Sequence, residues 1–258
     1  MLACGRLALG RMLRSPRMSE PRSFRWLAGA FALALLPVVV LLFVLNREYV
    51  APTRFEAQIR AFEAGDRVGP PQSGAIVVVG NLDLAVLQDR LAQDLAPLPI
   101  VGRAFAGSTL RDLEHYAERI VLAYTPRAVV LHAGEDDVAR RVPAEVILER
   151  FRALVGTLHA RAPELRLYVI ALEPKPARVS SWPTLSALNR QLAAECARDR
   201  RLVFIDVASP MLQSDGTPRR ELFGEDGLQL SDAGYALWRD VIGSVLRARE
   251  LTEEATPS

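Results

Sequence analysis

Residues 75–250 alternate short, largely apolar runs with amphipathic helical patterns. Apolar runs of this length predict strands that are covered on both faces. Strands that alternate with helices predict a parallel sheet between two layers of helices, because each parallel connection needs a crossover segment. The predicted strands are Ala75–Val79, Ile100–Phe105, Ala128–His132, Leu167–Leu172 and Leu202–Val207.

Helical patterns separate these strands, and one more follows the last strand. In each of them apolar residues recur at helical spacing, which predicts one buried face. Asp83 and Ser231 each precede such a stripe, and a short polar side chain in that place predicts an N-cap. The stripes cover residues 84–95, 110–121, 146–158, 184–198 and 237–246.

The stretch Trp26–Leu45 contains twenty residues without a charge, which is long enough to span a bilayer as a helix. Six arginines precede it, so the positive-inside rule predicts a cytoplasmic N-terminus and a domain on the other side, in the periplasm. A cleaved signal peptide is the alternative, but the sequence NREYVAP after Leu45 offers no small-x-small cleavage site. The prediction is a single-pass protein of the inner (plasma) membrane, starting at Met1, Met12 or Met18.

The chain therefore divides into a basic cytoplasmic segment (1–25), a transmembrane helix (26–45), a connector (46–74), a domain (75–250) and a polar tail (251–258). The connector includes a predicted short helix, Arg54–Phe62. The net charge of +2 comes from the N-terminal arginines, so no basic nucleic-acid surface is expected. Cys196 lies on an apolar helical stripe, which predicts a buried thiol, and no disulfide is expected within the domain.

Four short motifs follow predicted strands or precede a predicted helix. They are Val79–Leu82 (VGNL), Ala104–Thr109 (AFAGST), Gly134–Asp137 (GEDD) and Asp226–Leu230 (DGLQL). In order and spacing they resemble the motif blocks of the SGNH (GDSL-type) hydrolases, over residues 75–247. The resemblance implies a flavodoxin-like three-layer α/β sandwich with a central parallel sheet. Ligands of such sheets bind beyond the carboxyl ends of the strands, where the motifs would converge.

The resemblance also implies a role for each matching position. Asp226 matches the acid of the family's catalytic triad, and Gly107 matches a donor to the oxyanion. Four other positions of the family's site carry different residues in this chain, namely Asn81, Leu82, Asp136 and Gln229.

These substitutions remove the chemistry of ester hydrolysis, which needs a nucleophile, a base and donors for the oxyanion. Leu82 stands in place of the serine and has no nucleophilic atom. Gln229 stands in place of the histidine, and its amide accepts no proton near neutral pH. Asp136 replaces the oxyanion-binding asparagine, and an ionised carboxylate donates no hydrogen bond. The sequence therefore predicts the loss of ordinary esterase activity.

Other residues near the predicted rim provide alternatives. His132 at the end of the third strand and Ser108 beside Gly107 could form a rearranged active site, although Ser108 also suits a helix N-cap. Arg178 and Trp182 follow the fourth strand and are expected at the mouth of the pocket.

Three functions remain open. The first is binding of an envelope ligand or protein partner, the second is ester hydrolysis by a rearranged site, and the third is a structural role in an envelope complex. A further hypothesis is that Glu135, Asp136, Asp137 and Asp226 crowd into an acidic pocket for a cation or a polyhydroxylated ligand. No resident metal ion or other cofactor is expected.

The predicted topology can be tested by adding protease to intact spheroplasts that produce the full chain. We expect digestion of the domain and protection of the N-terminal arginine-rich segment, because the charge asymmetry places them on opposite sides of the membrane. Immunoblotting against tags at both ends of the chain shows which part has been digested. Full protection of the domain would show that the orientation is wrong.

Overall fold

The computed structural model describes Pro37 and residues 52–251, without the side chains of Pro52 and Leu82. Its five strands are all parallel and form one sheet in the order β2-β1-β3-β4-β5, which is the flavodoxin-like order. The predicted parallel sheet and its five strands are thus confirmed. The strands are β1 (Ile76–Gly80), β2 (Ile100–Gly102), β3 (Ala128–His132), β4 (Arg166–Ile170) and β5 (Leu202–Ile205).

Helices connect the strands and lie on both faces of the sheet. Within residues 52–251, none of them combines the length and the apolar character that a membrane span requires. Apart from Pro37, the predicted transmembrane helix Trp26–Leu45 lies outside the described residues. The helices are α1 (Glu56–Val68), α2 (Leu82–Asp94), α3 (Leu110–Ile120), α4 (Glu135–Ala139), α5 (Ala144–Arg161), α6 (Trp182–Cys196) and α7 (Asp232–Glu250).

Two apolar layers hold the helices to the sheet, because successive strand side chains point to opposite faces. Val77 and Val79 of β1 pack with α3, α5 and α6. Ile76 and Val78 pack with α2 and α7, including the fully buried Trp238. The inner strands β1 and β3 are buried on both faces, as their continuous apolar runs predicted, whereas β2 is partly buried along its length.

Helix α1 is longer than the short helix predicted over 54–62. Its Ile59 is fully buried in the core on the α3 side of the sheet. Arg119 of α3 binds Glu56 and Glu63 of this helix, at N–O distances of 2.8 and 2.6 Å. Residues 56–68 are thus packed onto the domain by both apolar and ionic contacts.

The N-caps differ from the prediction at one of two positions. Ser231 caps α7, since its hydroxyl accepts from the backbone N–H of Gly234. Asp83 does not cap α2: the N-cap is Asn81, and Asp83 is the second residue of the helix. The Asp83 carboxylate instead lies 2.7 Å from the ammonium of Lys175, an ionic partner that a local sequence pattern does not reveal.

The register of β1 and β3 determines which residues meet at the carboxyl end of the sheet. Gly80 lies opposite His132, and a Cβ atom on Gly80 would lie only 2.1 Å from the carbonyl oxygen of His132. Gly80 also has a φ of +150°, which side chains rarely tolerate. This close approach brings the residues after β1 directly beside the end of β3.

Candidate active site

Charged and polar side chains from three strand ends meet in the interior, at the carboxyl end of the sheet. Each of them is at most 6% exposed. They follow or end β1, β3 and β4, so the strand order brings together residues that are far apart in sequence. We refer to these residues as the buried charge cluster: Asn81, Asp83, His132, Glu135, Glu173 and Lys175.

Lys175, the only lysine of the chain, lies at the centre of the cluster. Its Nζ atom is 2.7 Å from Asp83 Oδ2, 2.8 Å from Glu135 Oε2 and 3.0 Å from Glu173 Oε1. Burial lowers the pKa of Lys175, but attraction to Glu173, Asp83 and Glu135 outweighs it and raises the pKa above its usual value. The ammonium therefore stays charged and binds three carboxylates at once.

The imidazole of His132 is held on both sides. Its Nδ1 lies 2.8 Å from Asn81 Oδ1, and the Asn81 amide donates to Glu135 Oε2 at 3.0 Å, so Nδ1 is the donor to Asn81. Its Nε2 lies 2.9 Å from Glu173 Oε2, but the angle falls short of a hydrogen bond and the contact is electrostatic. The ring meets Trp238 edge-on, with centroids 5.1 Å apart.

The pKa values of His132, Glu173 and Asp83 are shifted by burial and by the neighbouring charges. Burial lowers the pKa of His132, but Glu173 outweighs it and raises the pKa. Burial would raise the pKa of Glu173, yet Lys175 and His132 hold it well below the usual range. Burial and the neighbouring Glu173 raise the pKa of Asp83 to about 7. A carboxyl group with this pKa is partly protonated near neutral pH, which reduces the negative charge around the Lys175 ammonium.

A metal ion does not fit this arrangement. Ligand atoms of Asp83, His132 and Glu173 lie within 4.8 Å of one another, a spacing that a metal ion could bridge. However, the ammonium of Lys175 already contacts both carboxylates. A cation would have to displace Lys175 from the interior, so Lys175 serves as the internal cation.

The motif near the C-terminus lies on the surface. Asp226 and Gln229 are exposed, and Asp226 Oδ1 accepts the backbone N–H groups of Leu228 at 2.9 Å and Gln229 at 3.1 Å. These bonds lower the pKa of Asp226. The carboxylate therefore binds the backbone of its own loop, including the N–H of Gln229.

Backbone contacts hold this loop against the segment after β4. The Ala177 N–H donates to Gly227 O at 3.1 Å, and a Cβ atom on Gly227 would approach the same nitrogen to 3.1 Å. Arg220 donates to the carbonyl oxygens of Gly224 and Glu225. The loop is thus held by Ala177, which lies two residues after Lys175 in the sequence.

The remaining motif positions are framework residues in this structure. Leu82 is the first residue of α2. Ser108 is fully buried, and its hydroxyl donates to Gly80 O at 2.8 Å; the helix N-cap is the next residue, Thr109. Gly107 has a φ of +78° and its carbonyl accepts from Arg140 at 3.0 Å. Burial, followed by repulsion from Glu135, raises the pKa of the half-buried Asp136.

Three of the four carboxylates of the hypothetical acidic pocket have separate partners. Glu135 contacts Lys175, whereas Asp137 binds Arg150 at 2.8 Å and the Leu110 N–H at 3.0 Å. Asp226 lies on the exposed loop. Asp136 lies near enough to Glu135 for repulsion to raise its pKa, and the shared acidic pocket stays a prediction.

The two residues predicted at the pocket mouth lie on one segment. Arg178 is 46% exposed and its Nη1 lies 3.2 Å from Glu135 Oε1, so it links the surface to the cluster. Trp182 begins α6 and is partly buried against both apolar layers. The sequence did not identify Asp83, Glu173 and Lys175 as residues of the site. The available signal was Lys175, a lone lysine between two prolines after the fourth strand.

The model of the GDSL-like lipase/acylhydrolase family matches residues 69–237, more than half of the chain. The chain belongs to this family. The predicted membership of this family is thereby confirmed. Family membership accounts for the order of the strands and for the position of the motifs at their carboxyl ends. A search of curated proteins found no significant match.

Solved structures of the GDSL family share the fold. A GDSL-like lipase from Bacteroides thetaiotaomicron is 16% identical with a TM-score of 0.63, covering 78% of this chain and 98% of its own. The lipase/acylhydrolase from Enterococcus faecalis is 20% identical with a TM-score of 0.55, covering 68% and 96%. A catalytic mutant of an acetylxylan esterase from Geobacillus stearothermophilus is 18% identical with a TM-score of 0.53, covering 68% and 94%. At these identities the likeness establishes the fold alone.

Replacing Lys175 with methionine should strongly destabilise the domain. Three buried carboxylates would lose their shared cation, and breaking a buried ion pair from one side costs about 3–5 kcal/mol. Urea unfolding followed by circular dichroism measures the change. The matched control Arg190→Met, on the exposed face of α6, should change the free energy of unfolding by less than about 0.5 kcal/mol. A loss below about 1 kcal/mol for Lys175→Met would contradict the central role of the ammonium.

Stability should fall as the pH rises from 5 to 8. Folding raises the pKa of Asp83 from 3.8 to about 7, so its contribution is complete below pH 3.8 and is lost as the pH passes about 7. The raised pKa of His132 acts in the same direction, and the lowered pKa of Glu173 acts only below pH 4.5. Asp83→Asn, which mimics the protonated acid, should make the decline shallower; one proton accounts for at most about 1.4 kcal/mol per pH unit.

The control for this measurement is Asp89→Asn, an exposed residue of the same helix. It should leave the pH dependence of the free energy of unfolding unchanged. Equal slopes for wild type and Asp83→Asn would show that Asp83 does not titrate in this range.

Proposed function

We propose that this chain is a membrane-anchored, extracytoplasmic GDSL-family protein that lacks ordinary esterase activity and acts by binding a ligand or a protein partner. The observation that carries the proposal is the burial of His132 and Ser108, the candidates to replace the family's missing catalytic residues. The family fold is retained, whereas the reactive groups at its site are absent or inaccessible.

Neither side chain can reach a substrate as the protein stands. His132 is fully buried, and both ring nitrogens face protein atoms within 2.9 Å. Ser108 is fully buried as well, and its hydroxyl hydrogen is donated to Gly80. A nucleophile and its base must lie within hydrogen-bond reach of each other and of the substrate. These two residues are bonded to separate framework atoms instead.

The thiol of Cys196 offers no substitute. It is buried on α6, as the helical stripe predicted, and burial raises its pKa to about 12. A thiol with such a pKa stays protonated at neutral pH, and the protonated form is a poor nucleophile.

Polar groups on the rim support a binding function. Asp226 and Gln229 are exposed on a loop that backbone contacts hold in place, and Arg178 is nearly half exposed beside it. This rim lies beyond the carboxyl ends of the strands, where α/β sheets bind their ligands. Rigid polar groups around a surface that cannot react are suited to binding rather than to turnover.

The alternative is an ester hydrolase, for acyl or acetyl esters, with a rearranged active site. Retention of Asp226 and Gly107 at family positions favours it. In that case the buried charge cluster would have to open so that His132 meets the substrate. The cost is high, because opening would separate Lys175 from its three carboxylates.

The chain from Asn46 onward should not hydrolyse p-nitrophenyl acetate faster than the same sample after heat treatment. Leu82 cannot attack the ester and Gln229 cannot accept the proton. Release of p-nitrophenol at 405 nm, measured at several enzyme concentrations, tests this. The matched variants are His132→Gln and Ser108→Ala. Turnover that scales with protein and disappears in either variant would establish a relocated active site and refute the proposal.

A further inference from the structure

The opposite end of the sheet carries a cavity, far from the candidate active site. It has a volume of about 500 Å³, which is within the range of small-molecule sites. Arg127, Arg166 and Arg201 stand at or just before the first residues of β3, β4 and β5, so the cavity lies at the amino ends of these strands. Six residues line it, of which five are arginines: Arg127, Glu164, Arg166, Arg200, Arg201 and Arg249.

Three of these arginines are held in place by carboxylates. The fully buried Glu250 contacts Arg127 at 3.3 Å and Arg166 at 3.2 Å, and it accepts a hydrogen bond from Tyr168 at 2.5 Å. Asp199 binds Arg201 at 2.6 Å. The guanidinium groups are thus fixed before any ligand arrives, which lowers the cost of binding.

The other two arginines leave positive charge in excess. Arg200 and Arg249 are exposed and have no ion-pair partner within residues 52–251. Three carboxylates, Glu164, Glu250 and Asp199, balance three of the five guanidinium groups. The cavity therefore has a surplus of two positive charges, and guanidinium groups match the geometry of phosphate and carboxylate oxygens.

An apolar cavity of about 420 Å³ adjoins this arginine cavity. The two share the lining residues Arg127 and Glu164, so they lie side by side. The remaining lining residues of the second cavity are Pro126, Ala162, Pro163 and Leu165. An apolar compartment beside a doubly positive one suits a molecule with an anionic group at one end and an apolar group at the other.

We infer that these adjoining cavities form a binding site for a small amphiphilic dianion, such as an organic phosphate monoester with an aromatic or aliphatic group. The phosphate binds among the arginines, with Arg200 and Arg249 as its main charge partners. The apolar group occupies the space beside Pro126 and Leu165. This site is separate from the rim of the candidate active site, and its occupancy does not depend on the function proposed for that rim.

Isothermal titration calorimetry on the full chain in detergent tests the inference, with phenyl phosphate and inorganic phosphate as probes. We expect saturable binding of phenyl phosphate, about tenfold tighter than inorganic phosphate because the ring leaves water. The double variant Arg200→Gln/Arg249→Gln should weaken it at least about tenfold, since two charged hydrogen-bond donors are lost. Its fold should persist, because these side chains are exposed and hold no ion pair within the described part of the chain.

The control Arg67→Gln/Arg111→Gln removes the same charge from exposed positions on α1 and α3. It should change the affinity less than about twofold. An equal loss in both double variants would show a general charge effect and overturn the site. Equal affinities for phenyl phosphate and inorganic phosphate would overturn the amphiphilic ligand, and no saturable binding of phenyl phosphate would overturn the whole inference.

Discussion

The contact of one ammonium group with three buried carboxylates organises the end of the sheet where the family's site lies. Lys175 comes from the segment after β4, Asp83 from α2 and Glu135 from α4, so a single cation joins three separate connections. Such a contact is favourable only when every charge in it has a partner, because each unpaired charge in the interior costs several kcal/mol. The raised pKa values of His132 and Asp83 both reduce the negative charge around Lys175. The positions of the carboxyl ends of β1, β3 and β4 therefore depend on Lys175.

The proposed loss of esterase chemistry is consistent with the contacts of this cluster. Asp83, the residue after Leu82, contacts Lys175 in the interior. His132 at the end of β3 contacts Glu173 of the same cluster. Side chains at strand ends, where a hydrolase would direct groups towards substrate, here bind one another. The exposed loop of Asp226 and Gln229 remains as a rigid rim, held through Gly227 and Ala177. At this end of the sheet the side chains of the buried charge cluster contact one another, while the loop of Asp226 and Gln229 above them is exposed.

The two ends of the sheet have different electrostatic character. At the carboxyl ends, the charges are buried and paired. At the amino ends, arginines surround an open cavity and exceed their carboxylate partners. The difference arises from access to water: an excess charge can persist where solvent or a ligand anion reaches it, and it cannot persist in the interior.

The sequence by itself determined the parallel sheet, the five strands and the helices between them. Apolar periodicity is local and reports burial directly, so the pattern predicted β3 with its observed bounds and the burial of Cys196. The motifs also located the site at the carboxyl ends of the strands. Local patterns failed at Asp83, predicted as a cap, because its partner Lys175 is 92 residues away. Only the tertiary structure decided that His132 is buried, that Asp226 binds its own loop and that five arginines surround one cavity. Such contacts depend on strand order and register, which bring distant residues together without leaving a periodic signal in the sequence.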